Sequence, residues 1–226
     1  MSAVHAPSLA AQVFADPVVA ELADAVAAGD RAEIRRLAAR APASALSARG
    51  DKNVTLPEWA VFNQSPEGLD ELLALGADPS RAGVDGSTVV HLAAMARDPV
   101  YLETLLARGA DPNVEHAHTG AAPLAAALMG ERAIQFRLLL AAGADPRHAD
   151  RMGNTALHVA GKVNQPDLAL ELLKAGTDPL ARNAQNVTFQ RYAFMTPPSL
   201  LSVQARADRE ALVAWMRDRG LTLEHG

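Results

Sequence analysis

The strongest constraint on the fold is a period. "GADP" recurs at Gly76, Gly109 and Gly143 and returns as "GTDP" at Gly176, in steps of 33, 34 and 33 residues. A second series lies between these markers. It reads "NVTLPEWA" from Asn53, "GSTVVHLA" from Gly86, "GAAPLAAA" from Gly120, "GNTALHVA" from Gly153 and "NVTFQRYA" from Asn186. The third positions of that series, Thr55, Thr88, Ala122, Thr155 and Thr188, step by 33, 34, 33 and 33. Two independent markers with one period describe a chain of repeated small units. Each unit buries its apolar face against the next.

Every unit carries the same local instructions. A Gly or Asn able to take positive φ ends a turn. Two residues later a Thr can cap a short, alanine-rich first helix. A second helix follows with paired leucines: Leu72-Leu73, Leu105-Leu106, Leu139-Leu140 and Leu172-Leu173. The glycine three residues beyond each pair suits a left-handed helix end. Asp-Pro then stops the helix and starts an extended connector.

These motifs resemble the ankyrin repeat, with its Thr-Pro-Leu-His-x-Ala signature and 33-residue period. The resemblance covers nearly the whole chain. It implies an all-α solenoid of about six stacked helix-turn-helix repeats, with short β-hairpin fingers projecting from one edge. The expected layout is one domain over 1–226. It has an N-terminal capping repeat at about 16–47, repeats at 48–79, 80–112, 113–146 and 147–179, and a C-terminal capping repeat at 180–226. Arg35, Arg36 and Arg40 supply a polar outer face for the first cap, and Arg217 replaces the second leucine in the last. By the same resemblance Thr155 and His158, like Thr88 and His91, are architectural: the threonine caps the first helix and the histidine ties hairpin to helix.

Two units depart from the pattern. In the fourth, Ala122 and Ala125 stand where Thr and His are expected, although Pro123 keeps its favoured place at the helix start. Loss of a capping hydroxyl costs about 1 kcal/mol, so this is expected to be the weakest interior repeat. Its connector "NVEHAHTG" carries the extra residue of the 34-residue step, which predicts a longer or bulged finger. In the sixth, Arg191 takes the histidine position. Thr188 lies 32 residues before Gly220, against 21 for the corresponding step elsewhere, so 11 residues are inserted, centred on about 195–208. Pro197-Pro198 argues against a simple helical extension there.

Composition narrows the function classes. The chain has 226 residues, 49% apolar and 4% aromatic, which suits closely packed helices with small side chains. A net charge of −5 gives no basic nucleic-acid surface. With no cysteine there is no disulfide, thiolate zinc site or cysteine nucleophile. No apolar run is long enough for a membrane span, so no membrane insertion is expected. "MSAVHAPSLAAQVFADP" has no charged leader followed by an apolar block. A cytoplasmic location is therefore expected, or a periplasmic one had a leader been trimmed. There is no Walker loop, Gly-x-Ser-x-Gly elbow or His-Glu-x-x-His, and neither catalysis nor a cofactor is expected. His116 and His118, with Glu115 beside them, could hold zinc or copper only with a third fixed ligand, so no metal site is assigned.

The resemblance places partner binding on the first helices and the fingers. Residues following the helix alanines, Phe62, Asn63, Met95, Met129, Lys162 and Met195, are expected to form a binding stripe. Trp59 and Tyr192, which precede those alanines, join it. Aromatic anchors and adaptable methionines suit such a surface. Polar finger tips would form its rim: Arg81, Val84 and Asp85; Glu115, His116 and His118; Arg147, His148, Asp150 and Arg151; and Arg182, Asn183 and Gln185. The expected partner is another protein, and the chain is expected to be monomeric when free. The most specific reading is a bacterial immunity protein that occludes a secreted toxin or effector enzyme. The alternatives are a scaffold or stress-response accessory protein and, last, an enzyme or metal-binding protein.

Overall fold

The computed structural model describes residues 8–42 and 44–224. The first seven residues of the N-terminal stretch read above for a leader lie outside them. Among the described residues there are 13 α-helices, and no β-strand extends beyond a single bridge. Among these residues no helix is long and apolar enough to cross a membrane. The chain divides into two compact units, Met1–His118 and Thr119–Gly226.

The first unit contains α1 (Leu9–Val13), α2 (Pro17–Ala28), α3 (Arg31–Ala38), α4 (Leu56–Phe62), α5 (Pro66–Ala74), α6 (Val89–Met95) and α7 (Val100–Ala107). From α2 onward the helices pair, a first helix followed by a second that returns against it. The starts are set by side chains. Asp30 accepts from Glu33 N at 3.0 Å, and Ser65 accepts from Gly68 N at 3.1 Å, each satisfying an otherwise orphaned donor. Leu69, Leu72, Leu102 and Leu105 are fully buried. Truncating one of these to Ala costs about 2–5 kcal/mol. The helices approach closely: a Cβ added at Gly68 would lie 2.3 Å from the Val26 carbonyl oxygen, so no larger residue fits there.

The N-terminal cap is larger than the sequence pattern predicts. α1 lies ahead of the expected start at 16 and packs on α2. Phe14 is buried and meets the Trp59 ring edge-on, with centroids 5.6 Å apart. Arg35 is not simply a solvated cap residue. Its guanidinium donates to both carboxylate oxygens of buried Glu71 at 2.6 and 2.7 Å. These bonds hold the Glu71 carboxyl below its usual range. Arg36 instead pairs with Glu33 on its own helix.

The second unit contains α8 (Pro123–Met129), α9 (Ala133–Ala141), α10 (Ala156–Lys162), α11 (Pro166–Lys174), α12 (Gln190–Ala193) and α13 (Val203–Arg217). The leucine pairs behave unequally. Leu139 and Leu172 are fully buried, while Leu140 is only half-buried. Leu173 is buried as well, beside the extra length of α13 that packs on α11. At the last pair position Met216 is buried and Arg217 is exposed.

Two expectations about connectors need correction. The fingers are not strand ladders. Among the described residues only isolated antiparallel bridges form, Arg49 with Thr55 and Ala149 with Thr155. The insertion is also not all loop. α13 has 15 residues against 9 in α11, so part of the insert extends the second helix at its start. Pro197 and Pro198 stay outside that helix, which begins after Ser202 caps it through Ala205 N. Arg209 staples the arrangement. It is buried, donates to the Thr196 carbonyl at 2.6 Å and to Asn164 Oδ1 at 2.9 Å, and lies near the Phe194 ring.

Candidate partner-binding face

Three first helices are closed by a reciprocal cap. Thr88 N and its hydroxyl donate to His91 Nδ1 at 3.3 and 2.9 Å. Thr155 N and its hydroxyl donate to His158 Nδ1 at 3.2 and 2.9 Å. With Nδ1 accepting, the proton of neutral His158 sits on Nε2, which donates to the Val187 carbonyl at 3.1 Å in the next finger. Burial holds the His158 imidazole below its ordinary value. In the second repeat Glu58 stands in the histidine place. Its carboxylate accepts from Thr55 N and Thr55 Oγ1 at 2.9 and 3.0 Å, and from Val84 N at 3.1 Å. Glu58 is fully buried, which pushes its carboxyl up. Its oxygens press on Gly83, where a Cβ would come within 1.8 Å.

These caps fix where the first helices start, and one repeat position at or just beyond their far ends is exposed. In the first unit Phe62 and Met95 are 51% and 43% exposed. In the second, Met129 and Met195 are 60% and 62% exposed. All four occupy one repeat position, which Lys162 fills in the fifth repeat, also exposed. Asn63 is half-buried and returns its Nδ2 to the Trp59 carbonyl at 2.9 Å. Trp59 itself is no part of an open face. It is 6% exposed, and its indole N–H donates to the Ala23 carbonyl at 2.9 Å, locking α4 to the cap. Tyr192 is half-buried in a polar network. Its hydroxyl accepts from Asn183 Nδ2 at 3.0 Å, and the Lys162 ammonium sits 4.8 Å from its ring centroid.

The finger residues divide between solvent and structure. Asp85 and Glu115 are exposed, and Arg81 is half-buried. His116 lies between His91 and His118, with ring centroids 5.8 and 5.9 Å apart. Among the described residues no three His, Cys, Asp or Glu side chains converge to hold a metal ion. The extra residue of this finger falls in a three-residue turn at 117–119, where the next finger turns on 151–152. Arg147 and Arg151 are exposed; Arg147 Nε donates to the Gly176 carbonyl, and Arg151 N to the Thr119 carbonyl at 2.9 Å. Arg182 donates to the Asn186 carbonyl at 2.7 Å and lies 3.7 Å from Glu224. His148 is half-buried and donates through Nε2 to the Gly120 carbonyl at 2.6 Å.

Sequence reasoning missed several participants. Glu58 was legible only as a residue three positions after a capping Thr. Asn183, expected at a polar finger tip, is instead buried and links Asn154 to Tyr192. Met152, Leu180, Leu200 and Val203 add exposed apolar surface in the second unit that no repeat position marks.

Comparison with known proteins agrees with this geometry. The chain is 53% identical over 144 residues to Protein PhlB of Serratia liquefaciens, covering 64% of this chain and 62% of that relative. It therefore spans less than two thirds of the relative's length. Residues 90–183 match the ankyrin-repeat family in three copies. Together with the caps and paired helices described above, that match gives the chain an all-α ankyrin-repeat solenoid fold.

Proposed function

We propose that this protein is a non-catalytic protein-binding module and, specifically, a bacterial inhibitor or immunity protein that neutralises a cognate secreted effector by covering it. The observation that carries the binding reading is the shared position of Phe62, Met95, Met129 and Met195. An ankyrin framework needs no large apolar side chain at this exposed position, as Lys162 demonstrates. Its repeated use makes an adaptable apolar strip on each unit. Polar fingers beside it supply the rim expected of an interface. The inhibitor reading adds a mechanism that requires no catalytic group. A rigid surface occludes an active site or an essential face, and the first helices and fingers provide that surface.

The test is isolation of the complex from the source cell, followed by co-expression. The inhibitor reading predicts a stoichiometric one-to-one complex with one enzyme, loss of that enzyme's activity on binding, and rescue of growth when both are expressed. A partner that keeps its activity, or several partners held weakly, would overturn it in favour of a scaffold.

A further inference from the structure

The fourth repeat lacks its histidine, and the space has not closed. In the fifth repeat the His158 ring reaches Val187 and Ala181 of the following finger. One repeat earlier those two positions are Asn154 and His148. Both line a cavity of about 60 Å³ in the second unit, together with Ala122 and Ala125, the residues that replace Thr and His. The cavity therefore lies where an imidazole would otherwise sit. Its other walls are Met129, Val159 and neighbouring apolar residues. Met129 belongs to the exposed strip, so the cavity opens beside the proposed binding face.

Size and charge select what fills it. At roughly 10–15 Å³ per water-sized probe, this volume accepts about four or five non-hydrogen atoms. That is one side chain, not a small-molecule ligand. The charged residues among the lining are Asp145 and Asp150, and no lysine or arginine lines it. Asp150 accepts from neutral donors, Met152 N, Asn154 N and Asn154 Nδ2, while the nearby Lys162 ammonium donates to Asn154 Oδ1 rather than to Asp150. Its negative charge is thus held in place beside an apolar slot.

Resting on the protein-binding reading above, we infer that this vacated histidine site is an anchor pocket for a lysine side chain of the partner protein. The four-carbon stem would lie between Ala122, Ala125, Met129 and Val159, and the ammonium would reach Asp150 and Asp145. Long basic side chains bury their stems while keeping the charged head at a polar rim.

The full-length chain can be tested with n-butylammonium as the lysine side-chain probe, reading the methyl resonances of Ala122, Ala125, Met129 and Val159. Saturable shifts at these methyls, with a midpoint in the millimolar range on the order expected for so small a ligand, support the pocket. Ala125→Leu should abolish them by filling the slot, and Asp150→Asn should weaken them several-fold. The pocket is overturned if the shifts do not saturate, if 1-butanol or butyrate binds equally well, or if the response survives in Ala125→Leu. Should Ala125→Leu fail to fold, the comparison of probes and the Asp150→Asn response decide the matter alone. An isolated partner that binds wild type and Ala125→Leu equally would also defeat the pocket, yet leave the apolar strip as the binding face. A partner whose affinity ignores substitution of the strip would remove the binding reading itself.

Discussion

His148 Nε2 donates to the Gly120 carbonyl at 2.6 Å, a bond that runs from the fifth finger back to the base of the fourth. In the fifth and second repeats the tie between helix and finger runs forward, from His158 to Val187 and from Glu58 to Val84. The fourth repeat, with Ala125 in place of the donor, is thus joined to its neighbour by a histidine from the neighbour. His148→Ala should destabilise the protein by about 1 kcal/mol, the usual net worth of such a bond. Adding Ala122→Thr and Ala125→His to that variant should restore most of the loss. Urea unfolding of the four proteins checks both steps. A neutral His148→Ala would mean the fourth repeat stands without the tie.

Glu58 replaces a histidine with a buried carboxylate that satisfies two backbone N–H groups and a hydroxyl. Glu58→Ala leaves those donors buried without an acceptor and should cost about 1–3 kcal/mol. The pH dependence has a definite sign. Burial raises the folded-state value above the 4.5 of an ordinary glutamate, so the folded site holds its proton more readily than the unfolded chain. That contribution is complete below 4.5 and is lost as pH rises through the folded value. Glu58→Gln should therefore lose less stability than wild type between acid and neutral pH. Parallel curves for the two proteins would contradict this.

His158 acts in the opposite sense. Its folded-state value lies below the ordinary 6.5 because the ring is buried. Its contribution is present above 6.5 and is lost as pH falls from there through the folded value, since the unfolded chain takes the proton first. His158→Gln should flatten that acid limb in a melting-temperature profile. Its partner binding at neutral pH should be unchanged once the protein is folded. Lost binding in a folded His158→Gln protein would mean the residue has a role outside the cap.

Thr222 and Glu224 support the sixth repeat, where Arg191 has displaced histidine. Glu224 N donates to Gln190 Oε1 at 3.0 Å, and Thr188 donates to Glu224 Oε2 at 2.9 Å. Gln190→Ala should loosen both the tail and α12, with a loss of about 1 kcal/mol. Hydrogen exchange should then rise at residues 188–193 and 221–224 while α10 stays protected. Unchanged exchange at α12 would show that the tail is not a support.

Much of this was readable from residue identity alone. The period, the capping Thr–His pairs, the buried first leucines and the exposed Phe62, Met95, Met129 and Met195 all follow from one register, because a repeat repeats its environment. What the register could not supply were links between unlike units. Trp59 sits in a position that the register assigns to the binding stripe, but its indole meets Ala23 and Phe14 of a cap with a different sequence. His148 looked like a finger tip, since nothing local says that its imidazole bonds back to the Gly120 carbonyl. Half of the insertion became helix because Ser202 caps it after the proline pair, a signal present in the sequence but outweighed by the prolines.

The binding claim turns on the apolar strip. Once the partner is isolated, the direct measurement is its affinity for wild type beside the Phe62→Asp/Met95→Asp double variant, with helical content and melting temperature recorded for both. The account predicts a fall in affinity of about thirtyfold to eight-hundredfold, in line with two lost anchors of roughly 1–2 kcal/mol each, with helical content unchanged because both side chains are exposed, at 51% and 43%. Equal affinity for the two proteins would contradict it.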